Sequence, residues 1–297
     1  MQIKTKARIS HQKQYRLFMA PFILGTLILV VLPTLVTIGV AFTEFNSVGT
    51  LKFAGGRNFI TMFQSAYVRI GLKNSLIFLV LAVPIRVIGA LFLALLLRDD
   101  QRGFGIFRSA IYLPTVIPGV AYALVWLWIF NPIYGPLNVI LTVLGLPALD
   151  WLTDPNLARL AMVILISFQL GEGFVIMLAG LQTIPRSYYE SGKVDGASQL
   201  QMFRFITLPL LLPWLILLTF RDIAVSLQAT FTASYVITYG GPYYATTFLP
   251  LLVYEIAFDF LDFGMAAAVM LFAYIFLAML IWGILNLVSV RQGGEHG

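Results

Sequence analysis

Long apolar runs alternate with short polar segments along this chain. Six runs reach the roughly 20 residues that a helix needs to cross a bilayer. They are Phe18–Phe42, Asn74–Leu97, Ala110–Phe130, Leu157–Leu181, Leu208–Phe231 and Gly264–Val288. The pattern predicts an all-α, polytopic membrane protein with six transmembrane helices. Leu137–Leu149 is apolar but short and rich in Gly and Pro, which fits an interfacial or re-entrant piece. Tyr243–Phe260 is ambiguous and reads as a partly buried loop helix. Pro84 and Pro118 are positions where a helix could break.

Composition agrees with this pattern. Of 297 residues, 60% are apolar and only 11% charged, with a mean hydropathy of +0.90. A soluble domain carries roughly 25% charged residues to cover its core, so an apolar solvent is implied. The formal net charge of +6 is concentrated in loops between apolar runs, which argues for bilayer orientation rather than nucleic acid. With the N-terminus inside, the four inner segments hold twelve Lys and Arg and the outer ones hold five. Acidic residues gather outside, at Glu44, Asp150, Asp154, Glu255, Asp259 and Asp262. Residues 1–17 and 291–297 are therefore expected in the cytoplasm, flanking a single membrane domain over 18–290. The first run is too long for a cleaved signal peptide and reads as a retained helix. A cysteine placed at Ser198 is expected to be shielded from outside, and one at Thr246 to be reached.

The chemistry that is missing narrows the function. There is no cysteine, and the two histidines, His11 and His296, lie near opposite ends, so no metal site is expected. The chain has no His-Glu-x-x-His, no Gly-x-Ser-x-Gly and no Gly-x-x-x-x-Gly-Lys-Ser/Thr loop. No matching halves of the kind common in secondary transporters are found.

The most informative segment lies between the fourth and fifth runs, over residues 184–209. It contains Tyr188, Tyr189, Glu190, Ser191, Gly192, Lys193, Val194, Asp195, Gly196, Ala197 and Ser198. Ser187 with Glu190, and Ser198 with Gln201, each fit a capping box, so two short helices are expected. Gly196 between them permits a bend. Tyr188, Tyr189 and Val194 offer an apolar face.

This run, with Ile206-Thr-Leu-Pro209 behind it, resembles the EAA loop of ATP-binding-cassette importer permeases. Ser191 and Gly192 stand where that motif usually has two alanines, and Gly192 is expected to weaken the helix by about 1 kcal/mol relative to Ala. The resemblance continues in Arg108–Pro114, Asn131–Asn138, Ala179–Pro185 and Tyr235–Pro242, and is nearest to the maltose and glycerol-3-phosphate type. It implies a permease subunit that moves a sugar or polyol. Its partners would be a cytoplasmic ATPase dimer, a second and different permease, and an extracytoplasmic solute-binding protein. No cofactor is implied on this chain; ATP and Mg would sit on the ATPase. Residues 189–192 and 195–197 would then couple to that ATPase. A secondary transporter of a small polar solute is the alternative.

Four ionisable residues fall well inside the runs, away from their ends, namely Arg86, Glu172, Arg221 and Asp222. Such residues normally have a partner or line a cavity. Glu172 shares a helix face with Gln169, and Arg221 with Val225 and Gln228. Asp222 points about 100° away, so Arg221 is expected to pair across to another helix, with Glu172 the candidate. These residues read either as a translocation path or as structural ion pairs. Trp126, with Tyr122 and Trp128, reads either as a sugar-stacking surface or as interfacial aromatics.

Overall fold

The computed structural model describes residues 11–46, 51–99 and 102–293. The basic residues Lys4, Lys6 and Arg8, and His296, lie outside them. Apolar runs become helices because only a helix satisfies its own backbone in lipid. Four helices are long and apolar enough to cross a membrane, and two bent helix pairs bring the total to six if each pair is one span.

The described residues divide into two compact units, a division without a trace in the hydrophobic pattern. The first unit holds residues up to Gln64 and from Val253 onward. Its long elements are α1, helical from His11 to Val40 with the apolar segment Phe18–Val40, and a late helix, Phe263–Gly293. Between them, Thr43–Glu44 pairs antiparallel with Lys52–Phe53, and a short helix α2 covers Arg57–Gln64. Buried Asn58 donates to the carbonyls of Ala41 and Thr43, both at 2.9 Å, which fixes α2 against the end of α1.

The second unit, Ser65–Leu252, holds the candidate site. Helix α3 runs over Ala66–Leu96, with Ser65 accepting from the Val68 amide at its start. Pro84 lies inside α3 without interrupting it, whereas Pro118 separates α4 (Phe104–Val116) from α5 (Gly119–Ile129) by a 102° bend. The span expected over 110–130 is thus broken at Pro118, one of the two prolines where a break was possible, because proline pushes the residue before it, Ile117, out of the helical region. A short α6 follows over Pro136–Val143. The fourth span is also a pair, α7 (Pro155–Ser167) and α8 (Gly171–Gln182), bent by 48°. Beyond it come α9 (Arg186–Val194), α10 (Gln199–Met202) and the long α11 (Leu208–Ile237). Helix α12 covers Leu249–Tyr254, within the ambiguous Tyr243–Phe260 stretch.

Two apolar clusters hold this unit. One gathers aromatics: Phe78, Tyr122, Trp126, Phe130, Trp151 and Phe248. The other gathers Ala90, Phe174, Met177, Leu181, Leu211 and Leu218 from α3, α8 and α11. Close approach is possible there because α8 is small at the contact: a Cβ on Gly180 would lie 2.7 Å from the Trp214 ring.

Thr246 is fully buried, and its hydroxyl donates to the Gly241 carbonyl at 2.8 Å. The expectation that a cysteine at 246 is reachable is therefore corrected. Hydroxyls drew this loop inward, while Tyr243 nearby is 88% exposed.

The segment after α5 is held by one side chain. Asn138 is buried and donates to the carbonyls of Pro132 and Leu149, while its oxygen accepts from the Leu149 amide and from Trp151 Nε1 at 2.8 Å. Asn138→Ala should therefore leave several buried groups unpaired and cost about 2–3 kcal/mol. The check is a lower thermal midpoint in detergent together with a red shift of tryptophan emission; an unchanged midpoint would contradict this role.

Candidate functional site

The break in the fourth span sits between Ser167 and Gly171, well inside an apolar stretch. A helix that stops there leaves its last carbonyls short of amide partners, and hydrocarbon offers none. The Phe168 amide reaches the Ile164 carbonyl at 3.0 Å and the Gln169 amide reaches that of Ile166 at 3.3 Å, and side chains supply the rest. Tyr122 Oη donates to the Leu165 carbonyl at 2.8 Å, and Arg86 Nη1 donates to the Ile166 carbonyl. Gln169 Nε2 donates to the Pro114 carbonyl at 3.3 Å, serving the other broken span.

Arg86 is buried, so its charge needs an anion. That anion is Asp222 of α11, also buried, which accepts from Arg86 Nε at 3.2 Å and Nη2 at 3.4 Å. Asp222 also accepts from Arg221 Nη1 at 2.8 Å. Arg221 in turn pairs with Glu172, whose side chain is 49% exposed. The result is a row of alternating charges, Arg86–Asp222–Arg221–Glu172, with no net charge, running from the core to an open face. The helix dipoles agree with it: the cation meets the carboxyl end of α7, and Glu172 lies in the first turn of α8.

The structure thus brings Arg221 onto Glu172 across helices. It departs from the sequence analysis in one respect: Asp222 is not turned away from Arg221. Cβ directions on a helix differ by about 100° between neighbours, but the guanidinium is long enough to reach back to the adjacent carboxylate. Gln228 is exposed on the same face as Arg221 and Val225. Trp126 lies elsewhere, buried edge-on against Tyr122 and Phe168 in the aromatic cluster, while Trp128 is exposed.

The loop between α8 and α11 is a helix, a bend and a helix. Helix α9 begins at Arg186 after Pro185, with no side-chain cap, so the capping box expected from Ser187 and Glu190 is absent. Pro185 itself is the N-cap, with an extended ψ of 140°, and the helix starts directly after it; Ser187 is then inside, and Glu190 is an exposed mid-helix charge. The second box is present: Ser198 accepts from the Gln201 amide, and Gln201 Oε1 accepts from the Ser198 amide at 2.7 Å. Gly196 has φ +76° at the bend, a conformation that side chains resist.

Tyr189 does not join the outward face expected of it. Position 189 shares the inner face of α9 with Gly192, and its hydroxyl bonds Thr207 Oγ1 at 2.9 Å. Arg98 lies over its ring at 4.3 Å. Gly192 supplies close approach: a Cβ there would lie 3.3 Å from Ile206. Facing out are Tyr188, Glu190, Ser191, Val194 and Asp195. The closeness at Gly192 and the role of Arg86 as a carbonyl partner escaped the sequence reasoning. The run Gln169-Leu-Gly-Glu-Gly173, polar and glycine-rich inside an apolar stretch, is the signal that could have exposed the break.

A polytopic helical membrane protein with discontinuous spans, an internal charge row and a projecting two-helix loop belongs to the transport proteins. More specifically, the chain belongs to the family of binding-protein-dependent transport system inner membrane components, whose pattern matches residues 86–291. It is 35% identical to a probable ABC transporter permease protein, YesP, of Bacillus subtilis, over 84% of this chain and 82% of that one. It is 29% identical to the trehalose/maltose transport system permease protein MalF of Thermococcus litoralis, over 92% of each. It is 35% identical to the lactose transport system permease protein LacF of Rhizobium radiobacter, over 74% of this chain and 75% of that one. In fold it matches a chain of a bacterial alginate ABC transporter solved with its pentasaccharide-bound periplasmic protein. The TM-score is 0.77 at 23% identity, over 92% of this chain and 93% of that one.

The geometry ranks the charges. Arg86→Gln should leave buried Asp222 with Arg221 as its remaining ion-pair partner and cost about 3 kcal/mol. Glu172→Gln, half exposed, should cost less than about 1 kcal/mol. Asp222→Asn should restore part of the Arg86→Gln loss. Thermal midpoints in lipid nanodiscs test this order, and equal losses for Arg86→Gln and Glu172→Gln would refute it.

Proposed function

We propose that this chain is a permease subunit of an ATP-driven importer, passing a sugar or polyol delivered by an extracytoplasmic binding protein. Catalysis of ATP hydrolysis belongs to a separate cytoplasmic ATPase dimer, which carries the ATP and Mg. A second, different permease completes the transmembrane path. Both termini, including residues 1–17 and 291–297, and the loop 184–209 face the cytoplasm, by the asymmetry of basic residues. The sugar class rests on the named substrates of relatives, trehalose, maltose and lactose.

The single observation that carries the mechanism is the two-sided helix α9. Its inner face, Tyr189 and Gly192, is fastened to Thr207 and Ile206 at the foot of α11. Its outer face, with Tyr188, Glu190, Ser191, Val194 and Asp195, is left for the ATPase to grip. Gly196 and Ala197 set the bend that orients it. Closure of the ATPase then moves α11, which bears Arg221, Asp222 and Gln228. With Glu172 and Gln169, the open end of this row is the candidate lining of the path; Trp126, buried in the aromatic cluster, is left out of it.

Gly196→Val should abolish uptake without loss of membrane insertion. A Cβ at 196 meets no atom within 4 Å, so the penalty is backbone strain at positive φ rather than a clash. Glu190→Gln should weaken ATPase co-purification by charge alone, since Glu190 caps nothing. Reconstitution in proteoliposomes with the binding protein gives the readout. Wild-type ATP hydrolysis and uptake in Gly196→Val would sink the coupling assignment. For orientation, a cysteine at Ser198 should resist an impermeant outside reagent and one at Tyr243 should react; the reverse pattern would invert the topology.

A further inference from the structure

The open face of α11 continues beyond the charge row. Arg221, Val225, Gln228, Thr232, Tyr235 and Tyr239 fall within about 40° of one line at 100° per residue. Tyr235 is 39% exposed and Tyr239 is 52% exposed. Their rings form part of a ladder: Phe231 and Tyr235 stack with centroids 5.6 Å apart, and Tyr235 and Tyr239 lie 5.2 Å apart.

The ladder ends in a backbone built to hold it. Tyr239 has φ +47°, and Tyr243 and Tyr244 have φ +49° and +60°. Bulky residues seldom adopt this region, and such outliers persist only where surrounding bonds impose them. Here the bonds are visible. Asn74 donates to the Tyr244 carbonyl at 2.7 Å. The hydroxyls of Thr238 and Thr246 meet at 2.6 Å, and the Leu249 amide donates to Ser75 Oγ at 2.7 Å. Every hydroxyl and amide in this set points inward, leaving Tyr243 outside. A loop serving only as a connection has no need of tyrosines in left-handed backbone.

We propose that Tyr235 and Tyr239 form a carbohydrate-stacking site at the outer end of the path, where sugar rings slide along tyrosine faces before reaching the charge row. The inference rests on the proposed sugar importer. An aromatic face suits the apolar C–H face of a pyranose, and a phenolic hydroxyl at its edge suits the ring hydroxyls. A row of such rings along a mobile solute's route offers successive weak sites rather than one tight one, which conduction requires. A lipid-interface belt of tyrosines would scatter around the helix; this one continues the line of Arg221 and Gln228.

The test uses the complete transporter in proteoliposomes, with its binding protein and a maltodextrin series as probe. Wild-type uptake of at least one member comes first: if none is transported, the sugar-importer reading itself fails. Given uptake, Tyr235→Ala and Tyr239→Ala should each raise the half-saturating sugar concentration for uptake or lower its rate by about ten-fold, the scale of one lost aromatic contact. Tyr→Phe and Tyr→Trp at the same positions should keep most of it, and binding-protein-stimulated ATP hydrolysis should persist in all. Alanine variants that transport within two-fold of wild type would overturn the site. So would variants that lose the second permease on purification, because the row would then be a subunit contact.

Discussion

A backbone carbonyl in hydrocarbon must be satisfied by the protein, and the break between Ser167 and Gly171 exposes such carbonyls in mid-span. The rest of the second unit is arranged around that requirement. Tyr122 answers Leu165, and Arg86 answers Ile166. A guanidinium brought in to donate one hydrogen bond also brings a charge, which would be unsustainable alone. Asp222 neutralises it, Arg221 balances Asp222, and Glu172 closes the row at the surface. Each ionisable group is the consequence of the one before it. Read this way, the charge row originates in the backbone, and its outermost member is the one with freedom to serve something else.

That ordering bears on how the row behaves when the protein moves. Arg86 and Asp222 are locked by burial and by several hydrogen bonds at once. Separating them would leave two bare charges in a medium of low dielectric, a penalty of several kcal/mol per ion. Arg221 and Glu172 are less buried than Arg86 and Asp222, so theirs is the pair that separates at the smaller cost. Any motion of α11 against α8 would therefore be absorbed at the Arg221–Glu172 end.

The sequence made the membrane class, the loop 184–209 and the four charges within the spans legible, because each depends on residue type alone; it did not show that only Arg86 and Asp222 of these are buried, nor that Glu255 is. Hydrophobic length does not show where a span breaks: Leu157–Leu181 reads as continuous, and Phe168-Gln-Leu-Gly-Glu is polar by only a few residues. Which carboxylate Arg86 meets is a matter of helix packing, with Asp222 lying 136 positions away. Helix faces in the loop were assigned by apolarity, so Tyr188, Tyr189 and Val194 were grouped together. The fold separates them: Tyr189 is fastened inward to Thr207, while Tyr188 and Val194 are exposed. Gly192 itself was weighed as a helix weakness of about 1 kcal/mol; the 3.3 Å approach to Ile206 shows what the missing side chain makes possible.

These features share one helix. The foot of α11 meets Tyr189 through Thr207 and the π-helical turn Phe203–Thr207. Its middle holds Asp222 and Arg221, and its far end holds Tyr235 and Tyr239. A continuous helix of 30 residues spans about 45 Å, and Pro213 lies inside it between the foot and the charges. Gly180 lets α8 pack closely against Trp214 near the foot of this helix. On the proposed coupling, no relay of separate contacts is needed, because the foot, the charges and the aromatic row all belong to one helix.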